Sequence, residues 1–253
     1  MLLNKLLEKI EYECVCGTVE REVNSVVYDS RKVSEGCLFI CIRGANFDGH
    51  EFAAEVVDKG AKVLVISRDV ELPKETEKEV TLIKVADTRY AMAFISAAYF
   101  DYPAEKMTVI GITGSVGKTT TKEMVHAVMS VKYNTLKNEG NLNNEIGVPL
   151  TLFRLDETHE AAVIEMGMSG FEEIARMTAA VRPDVAVISN IGVSHIENLG
   201  SREGILKAKF EILESMKADA PVILNGDDDM LVTVCAGAHP ITYYGINNEK
   251  CKW

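Results

Sequence analysis

Residues 110–120 read IGITGSVGKTT, the stretch of this chain best suited to holding a charged ligand. Gly114 and Gly117 free the backbone, so that N–H groups around Ser115 and Val116 can converge on phosphate oxygens. A helix opening here adds partial positive charge, and Lys118 can reach the β- and γ-phosphates of a nucleoside triphosphate. The Thr119 hydroxyl suits Mg2+, with Thr120 following it in the first turn. The strict phosphate-loop pattern asks for glycine where this chain has Ile112, so a variant loop is expected. A plain glycine-rich turn is the alternative, and GKTT between a strand and a helix argues against it. A guanine-specific enzyme would also carry NKxD and DxxG segments, and neither occurs in the sequence.

Other candidates fall just after apolar runs. Glu165 closes AAVIEMG, where a carboxylate could face Mg2+ beside the phosphate loop or simply be a polar strand end. His195 follows DVAVISNIG by a few residues; a lone histidine is more often surface or core, but a strand end favours a ligand. Lys209 is an anomaly, because Ile205, Ile212 and Met216 mark an apolar helical stripe and Lys209 lies on it, one turn after Ile205. Either its ammonium snorkels to water, or it is held near a metal and chemically altered there. Asn225 and Asp227, after PVILNG, offer acceptors to a ribose or adenine, or form an acidic turn. Asn138, Asn141, Asn143 and Asn144 crowd four amides into residues 138–144. They suit a sugar or pyrophosphate, or an ordinary loop.

The elements that must position these residues alternate. MTVIGIT, AAVIEMG, DVAVISNIG and PVILNG read as strands, separated by the helical stretches TTTKEMVHAVMSV, FEEIARMTAAV and REGILKAKFEILESM. That order predicts a parallel sheet covered on both faces, with ligands gathering outside the carboxyl ends of its strands. Upstream, VVYDS, CLFICIRG and AKVLVIS read as short strands around the helix EFAAEVVDKG. A polar loop at 71–79 and a helix over ADTRYAMAFISAAYF follow, with Met92, Ile95, Ala98 and Tyr99 on one face. Pro103 marks the expected boundary. The fold class is therefore α/β, with a small N-terminal domain over 1–103 and a mostly parallel-sheet nucleotide-binding domain over 104–253.

Composition narrows the function. With 47% hydrophobic and 26% charged residues the chain can bury a sizeable core, and its net charge of −11 argues against a general nucleic-acid or anionic-membrane surface. MLLNKLLEKI is interrupted by Asn4, Lys5, Glu8 and Lys9, so it reads as an amphipathic turn rather than a secretory signal. No uncharged run reaches membrane-spanning length. The six cysteines form no CxxC pair, which fits free thiols in a reducing cytoplasm.

Several segments together resemble the Mur ligases of bacterial cell-wall precursor synthesis, and within them the D-alanyl-D-alanine-adding branch. GITGSVGKTTTKEM is similar to their ATP loop, which also lacks the early glycine. NEGNLNNEIGVPLTL, AVIEMGMSG, RPDVAVISNIGVSHIENLGS and ILKAKFEIL agree in order and spacing, and DSRKVSEGCLFICIRGANFDGHEF resembles a UDP-binding front domain. The resemblance implies ATP and Mg2+ as cofactors, with UDP-N-acetylmuramoyl peptide and D-alanyl-D-alanine as substrates of a cytoplasmic, monomeric ligase that binds no nucleic acid. It implies Lys118 on phosphate, Thr119 and Glu165 on Mg2+, His195 on a second Mg2+, and Lys209 carbamylated. Asn225 and Asp227 correspond to nucleotide contacts, Ser30 and Arg31 to uridine diphosphate contacts, and Asn138, Asn141 and Asn144 to the sugar-peptide site. A sister ligase adding a diamino acid, and a non-catalytic nucleotide-binding fragment, are the alternatives. The family continues into a third domain that receives the amine, so residues 1–253 by themselves are expected to bind nucleotide weakly and not to ligate.

Overall fold

A computed structural model describes residues 1–44, 47–73, 79–99, 107–249 and 251. The chain resolves into two compact units, Met1–Tyr99 and Phe100–Trp253. Pro103 and most of the polar loop at 71–79 lie outside the described residues.

In the first unit, α1 (Leu3–Leu6) buries Leu3 and Leu6, and β1 (Glu13–Cys16) follows. The strands β2 (Val26–Val27), β3 (Leu38–Ile40), β4 (Val63–Ile66) and β5 (Thr81–Lys84) complete a five-stranded sheet ordered β1-β5-β4-β3-β2. β1 runs antiparallel to β5, and the other neighbours are parallel. β3 and β4 are buried at every residue, as strands covered on both faces must be. On one face α2 (Ala53–Asp58) contributes Val56 and Val57 to a core with Phe39, Leu64 and Ile66. The helix α3 (Thr88–Tyr99) buries Met92, Ile95 and Ala98 of the expected stripe, leaves Tyr99 half-buried, and also buries Ala91, Ala93, Ser96 and Ala97. β1 and β5 were not read as strands from the sequence.

The second unit follows the predicted alternation. Its strands are β6 (Thr108–Thr113), β7 (Thr135–Lys137), β8 (Ala161–Glu165), β9 (Val185–Ile188), β10 (Val222–Asn225) and β11 (Ile241–Tyr244). Their order is β11-β10-β9-β6-β8-β7, and every pairing is parallel. The helices are α4 (Lys118–Met129), α5 (Gly147–Leu152), α6 (Glu173–Val181), α7 (Ile196–Leu199) and α8 (Arg202–Phe210). Ile110, Ile112, Val163 and Val187 form a core against Val125 and Met129 of α4.

Because all six strands point the same way, their carboxyl ends share one edge. β6 lies between β8 and β9, so the chain fills one side of it and then crosses to the other, opening a crevice beyond its end. One expectation is corrected. The helix foreseen over 202–216 stops at Phe210 and tightens into a 3-10 turn, Glu211–Leu213. The Glu211 carboxylate is drawn aside, where it accepts the backbone N–H of Glu172 (2.8 Å) and of Ala175 (3.2 Å) at the start of α6. Among the described residues no helix is long and apolar enough to cross a membrane.

A candidate nucleotide site at the strand ends

A cleft of about 250 Å3 opens beyond β6, lined by residues that include Gly114, Ser115, Lys118, Asn143, Asn144, His195 and Lys209. The phosphate loop connects β6 to α4, with Gly114 at φ +151° and Gly117 at φ +81°. Ser189, at the end of β9, presses against Gly114: a Cβ there would stand 1.9 Å from Ser189 Oγ, which itself donates to Val116 O at 2.6 Å. Gly114→Ala is therefore expected to cost about 2 kcal/mol or more. Its unfolding midpoint should fall clearly below the parent's, and an unchanged midpoint would show that the loop relaxes freely.

The loop is closed on itself and on its neighbour strand. Asn190 Oδ1 accepts the N–H of Ser115 (3.0 Å) and of Val116 (2.9 Å), and Ser115 Oγ accepts that of Gly192 (2.8 Å). Lys118 Nζ donates to Gly114 O (2.9 Å) and Ser115 O (3.3 Å). Asn190 was not anticipated from the sequence, since the contact spans 75 positions. Burial pulls the Lys118 pKa down from its ordinary value, against the opposing pull of Glu165.

Glu165, the last residue of β8, is fully buried. Its Oε1 accepts from Thr119 Oγ1 (3.2 Å) and Asn143 Nδ2 (2.7 Å), while its Oε2 accepts no hydrogen bond and faces Lys122 Nζ at 3.5 Å. These groups fit a magnesium ion. Adjacent ligands of a Mg2+ octahedron are roughly 3 Å apart for bonds of about 2.1 Å, close to the 3.2 Å between Thr119 Oγ1 and Glu165 Oε1. Among the described residues no three His, Cys, Asp or Glu side chains converge. Phosphate oxygens and water would therefore complete the shell, as Mg2+ prefers.

Lys209 lines the cleft and is only 3% exposed, so the snorkelling alternative is excluded. Desolvation, reinforced by the charge of Lys118, lowers its pKa from 10.5 to about 7. His195 stands at the start of α7 with φ 62°, a left-handed conformation costly for a side chain with a Cβ, and lines the same cleft. Strain of that kind concentrates at binding and catalytic sites.

The amide segment divides unevenly. Asn144 lines the cleft and its Oδ1 accepts the N–H of Ile146 and of Gly147. Asn138 is fully buried instead: its amide donates to Leu142 O and Glu165 O, and its Oδ1 accepts the Glu165 N–H. It pins the loop to β8 rather than facing a ligand. Asn141 is exposed outside the cleft lining, whereas Asn143, a member of the amide cluster to which the resemblance gave no role, reaches Glu165. Asn225, the last residue of β10, and Asp227, in the turn after it, lie off the cleft; Asp227 accepts the N–H of Ile246 and Asn247, which lowers its pKa. Lys122 was also overlooked. Its signal was the one that exposed Lys209, a lysine on the helical stripe of Val125 and Met129.

In the first unit, Ser30 is half-buried and Arg31 is exposed. The Arg31 guanidinium holds both Asp29 oxygens (2.9 and 2.7 Å), and those hydrogen bonds keep the Asp29 carboxyl at about 2. In the same unit, Ser67 N donates to His50 Nε2 (2.9 Å), so His50 Nδ1 carries the proton given to Asp48 Oδ1 (2.6 Å). Burial opposes the Asp48 charge, but the His50 backbone, its ring and Arg68 hold that carboxyl at about 2.

The family description "Mur ligase middle domain" matches residues 112–253, and "Mur ligase family, catalytic domain" matches residues 22–100. A UDP-N-acetylmuramoyl-tripeptide–D-alanyl-D-alanine ligase of Bacillus subtilis (strain 168) is 43% identical over 209 residues, covering 83% of this chain and 45% of that protein. A crystal structure of MurF from Acinetobacter baumannii superposes with a TM-score of 0.79 at 34% identity, covering 96% of this chain and 53% of that one. A MurF ligase from Thermotoga maritima, solved in complex with ADP, gives a TM-score of 0.75 at 31% identity, covering 87% and 50%. The chain spans about half the length of the relatives it matches.

Proposed function

Since this chain belongs to the Mur ligase family, we propose that it serves ATP-dependent addition of D-alanyl-D-alanine to a UDP-N-acetylmuramoyl-tripeptide in peptidoglycan precursor synthesis. The observation that carries this is one crevice bordered by the phosphate loop, Lys118, His195 and Lys209, with Thr119 and Glu165 joined behind it. The substrate carboxylate attacks the γ-phosphorus, ADP leaves, and the amine of the dipeptide then displaces phosphate from the acyl carbon. Such transfers depend on positioning and charge neutralisation rather than on covalent help from the protein. Lys118 and the loop N–H groups hold the phosphates, once released from Gly114 O and Asn190. Thr119 and Glu165 would hold Mg2+, which when bound offsets charge on the transferring phosphoryl group; His195 is assigned to a second ion.

Lys209 is assigned as a carbamate. A free amine attacks carbon dioxide and loses a proton, which converts a buried cation into an anion suited to a metal-rich crevice. Asn144 borders the sugar-peptide region, and Asn225 with Asp227 the nucleoside. Ser30 and Arg31 serve the uridine diphosphate, Arg31 by exchanging Asp29 for phosphate. The setting is the cytoplasm and the protein acts as a monomer, with neither nucleic acid nor membrane insertion involved.

Hydroxylamine supplies the test, because it traps an acyl phosphate as a hydroxamate. With UDP-N-acetylmuramoyl-tripeptide, ATP and Mg2+, and no dipeptide, hydroxamate should accumulate and should require all three. Hydroxamate that forms equally without ATP, or failure of the chain to bind either ATP or the UDP-sugar, refutes the proposal. The front unit makes a separate prediction. UDP-N-acetylmuramoyl peptide without ATP should shift amide NMR signals chiefly within residues 28–50, and shifts confined to the second unit would contradict it.

A further inference from the structure

Lys122 has no exposed surface, yet the proposed reaction gives it no task. It lies on the inward stripe of α4, while Met124 and Val128 on the same helix are 66% and 73% exposed. That reverses the usual partition of charged and apolar side chains. Its ammonium donates to Gly140 O at 3.3 Å and stands 3.5 Å from both Glu165 Oε2 and Glu123 Oε1. One cation thus joins α4, the amide loop and the end of β8. A buried carboxylate without a counter-charge is costly, and a well-packed apolar pair could usually replace such an ion pair without loss of stability. The arrangement does not maximise stability, since Oε2 receives no hydrogen bond.

We propose that Lys122 is a positioning residue that supplies the counter-charge for Glu165 while nucleotide is absent, and thereby makes divalent-cation binding depend on nucleotide. Without phosphates, a bare divalent ion at Glu165 meets the Lys122 ammonium and is repelled. Bound phosphates bring enough negative charge to offset that repulsion, and the ion then enters with them. Because Oε2 is held by charge at ion-pair distance and not by a hydrogen bond, that oxygen keeps its place without committing its lone pairs. Metal and nucleotide are coupled, and the coupling acts equally in both directions. The inference rests on the metal role proposed for Glu165 and deepens it.

The test titrates Mn2+, followed by electron paramagnetic resonance, into the chain with and without a non-hydrolysable ATP analogue. In the parent, Mn2+ should bind far more weakly without the analogue; equal affinity overturns the inference whether or not any variant folds. K122M should raise the nucleotide-free Mn2+ affinity by about tenfold or more, because a like charge is removed from beside the ion. K122Q, which keeps a donor for Gly140 O, should do the same, and K122R should behave as the parent does. A merely structural lysine predicts the opposite sign, so unchanged or weaker nucleotide-free binding in K122M and K122Q overturns the proposal. E165Q separates the two levels: it should weaken Mn2+ binding in the presence of the analogue. If it does not, Glu165 is not at the metal, and its proposed metal role falls together with this inference.

Discussion

Lys118→Ala should abolish measurable binding of Mg2+-ATP to this chain, a loss of at least about a hundredfold in calorimetric titration, given that charge-assisted hydrogen bonds to phosphate are the strong ones. The fold should survive. Lys118 is half-buried and bonds only two carbonyls of its own loop, so the variant leaves Gly114 O and Ser115 O to water. The remaining loop contacts, through Asn190 and Ser189, do not involve it. An unfolding midpoint near the parent's, together with lost binding, is the expected pair of results. Unchanged nucleotide affinity would show that residues 114–119 are only a turn.

Lys209→Met should stabilise the chain, and the gain should depend on pH with a definite sign. The folded state lowers the Lys209 pKa from 10.5 to about 7, so between those values the unfolded chain binds the extra proton and the folded chain does not. Stability of the parent therefore rises with pH across that window. Below about pH 7 both states are protonated and the folded chain carries the full cost of a buried ammonium. Each tenfold loss of proton affinity corresponds to about 1.4 kcal/mol, so the methionine variant should gain on the order of 5 kcal/mol below about pH 7. The advantage should shrink toward zero as pH approaches 10.5. Denaturant unfolding at several pH values, in buffers freed of carbon dioxide, reads this directly. A variant less stable than the parent at pH 6 would mean that the ammonium has a partner the structure does not show. With carbon dioxide present, the same low pKa gives a carbamate that should appear in carbon NMR after 13C-bicarbonate is added and be absent in Lys209→Met.

The phosphate loop could be found without a fold because its working parts are contiguous: two glycines, a lysine and a threonine within 114–119 act through local backbone geometry and the start of one helix. The parallel sheet was equally accessible, since β8 is buried throughout and β6 and β9 nearly so, and buried strands read as unbroken apolar runs. Given that sheet, the rule that ligands gather at carboxyl ends already pointed to Glu165 and His195. β7 and β11 were not read as strands from the sequence.

Tertiary pairing decided the rest, because a side chain's task depends on what the fold brings to it. Asn138 and Asn143 have the same chemistry five positions apart, yet one is locked onto the backbone of β8 and the other turns to the Glu165 carboxylate. Asn190 meets the loop N–H groups across 75 positions only because β6 and β9 are neighbours. Lys209 and Lys122 each sit on an apolar stripe, a conflict visible in one dimension. Whether such a lysine snorkels, titrates or pairs is set by burial and neighbouring charge. Lys209 lies in the cleft near another cation, whereas Lys122 lies beside two carboxylates and a carbonyl. The sequence determined which chemical groups stand at the strand ends; electrostatics and hydrogen bonding between distant segments, which act through space rather than along the chain, decided what each of them can do.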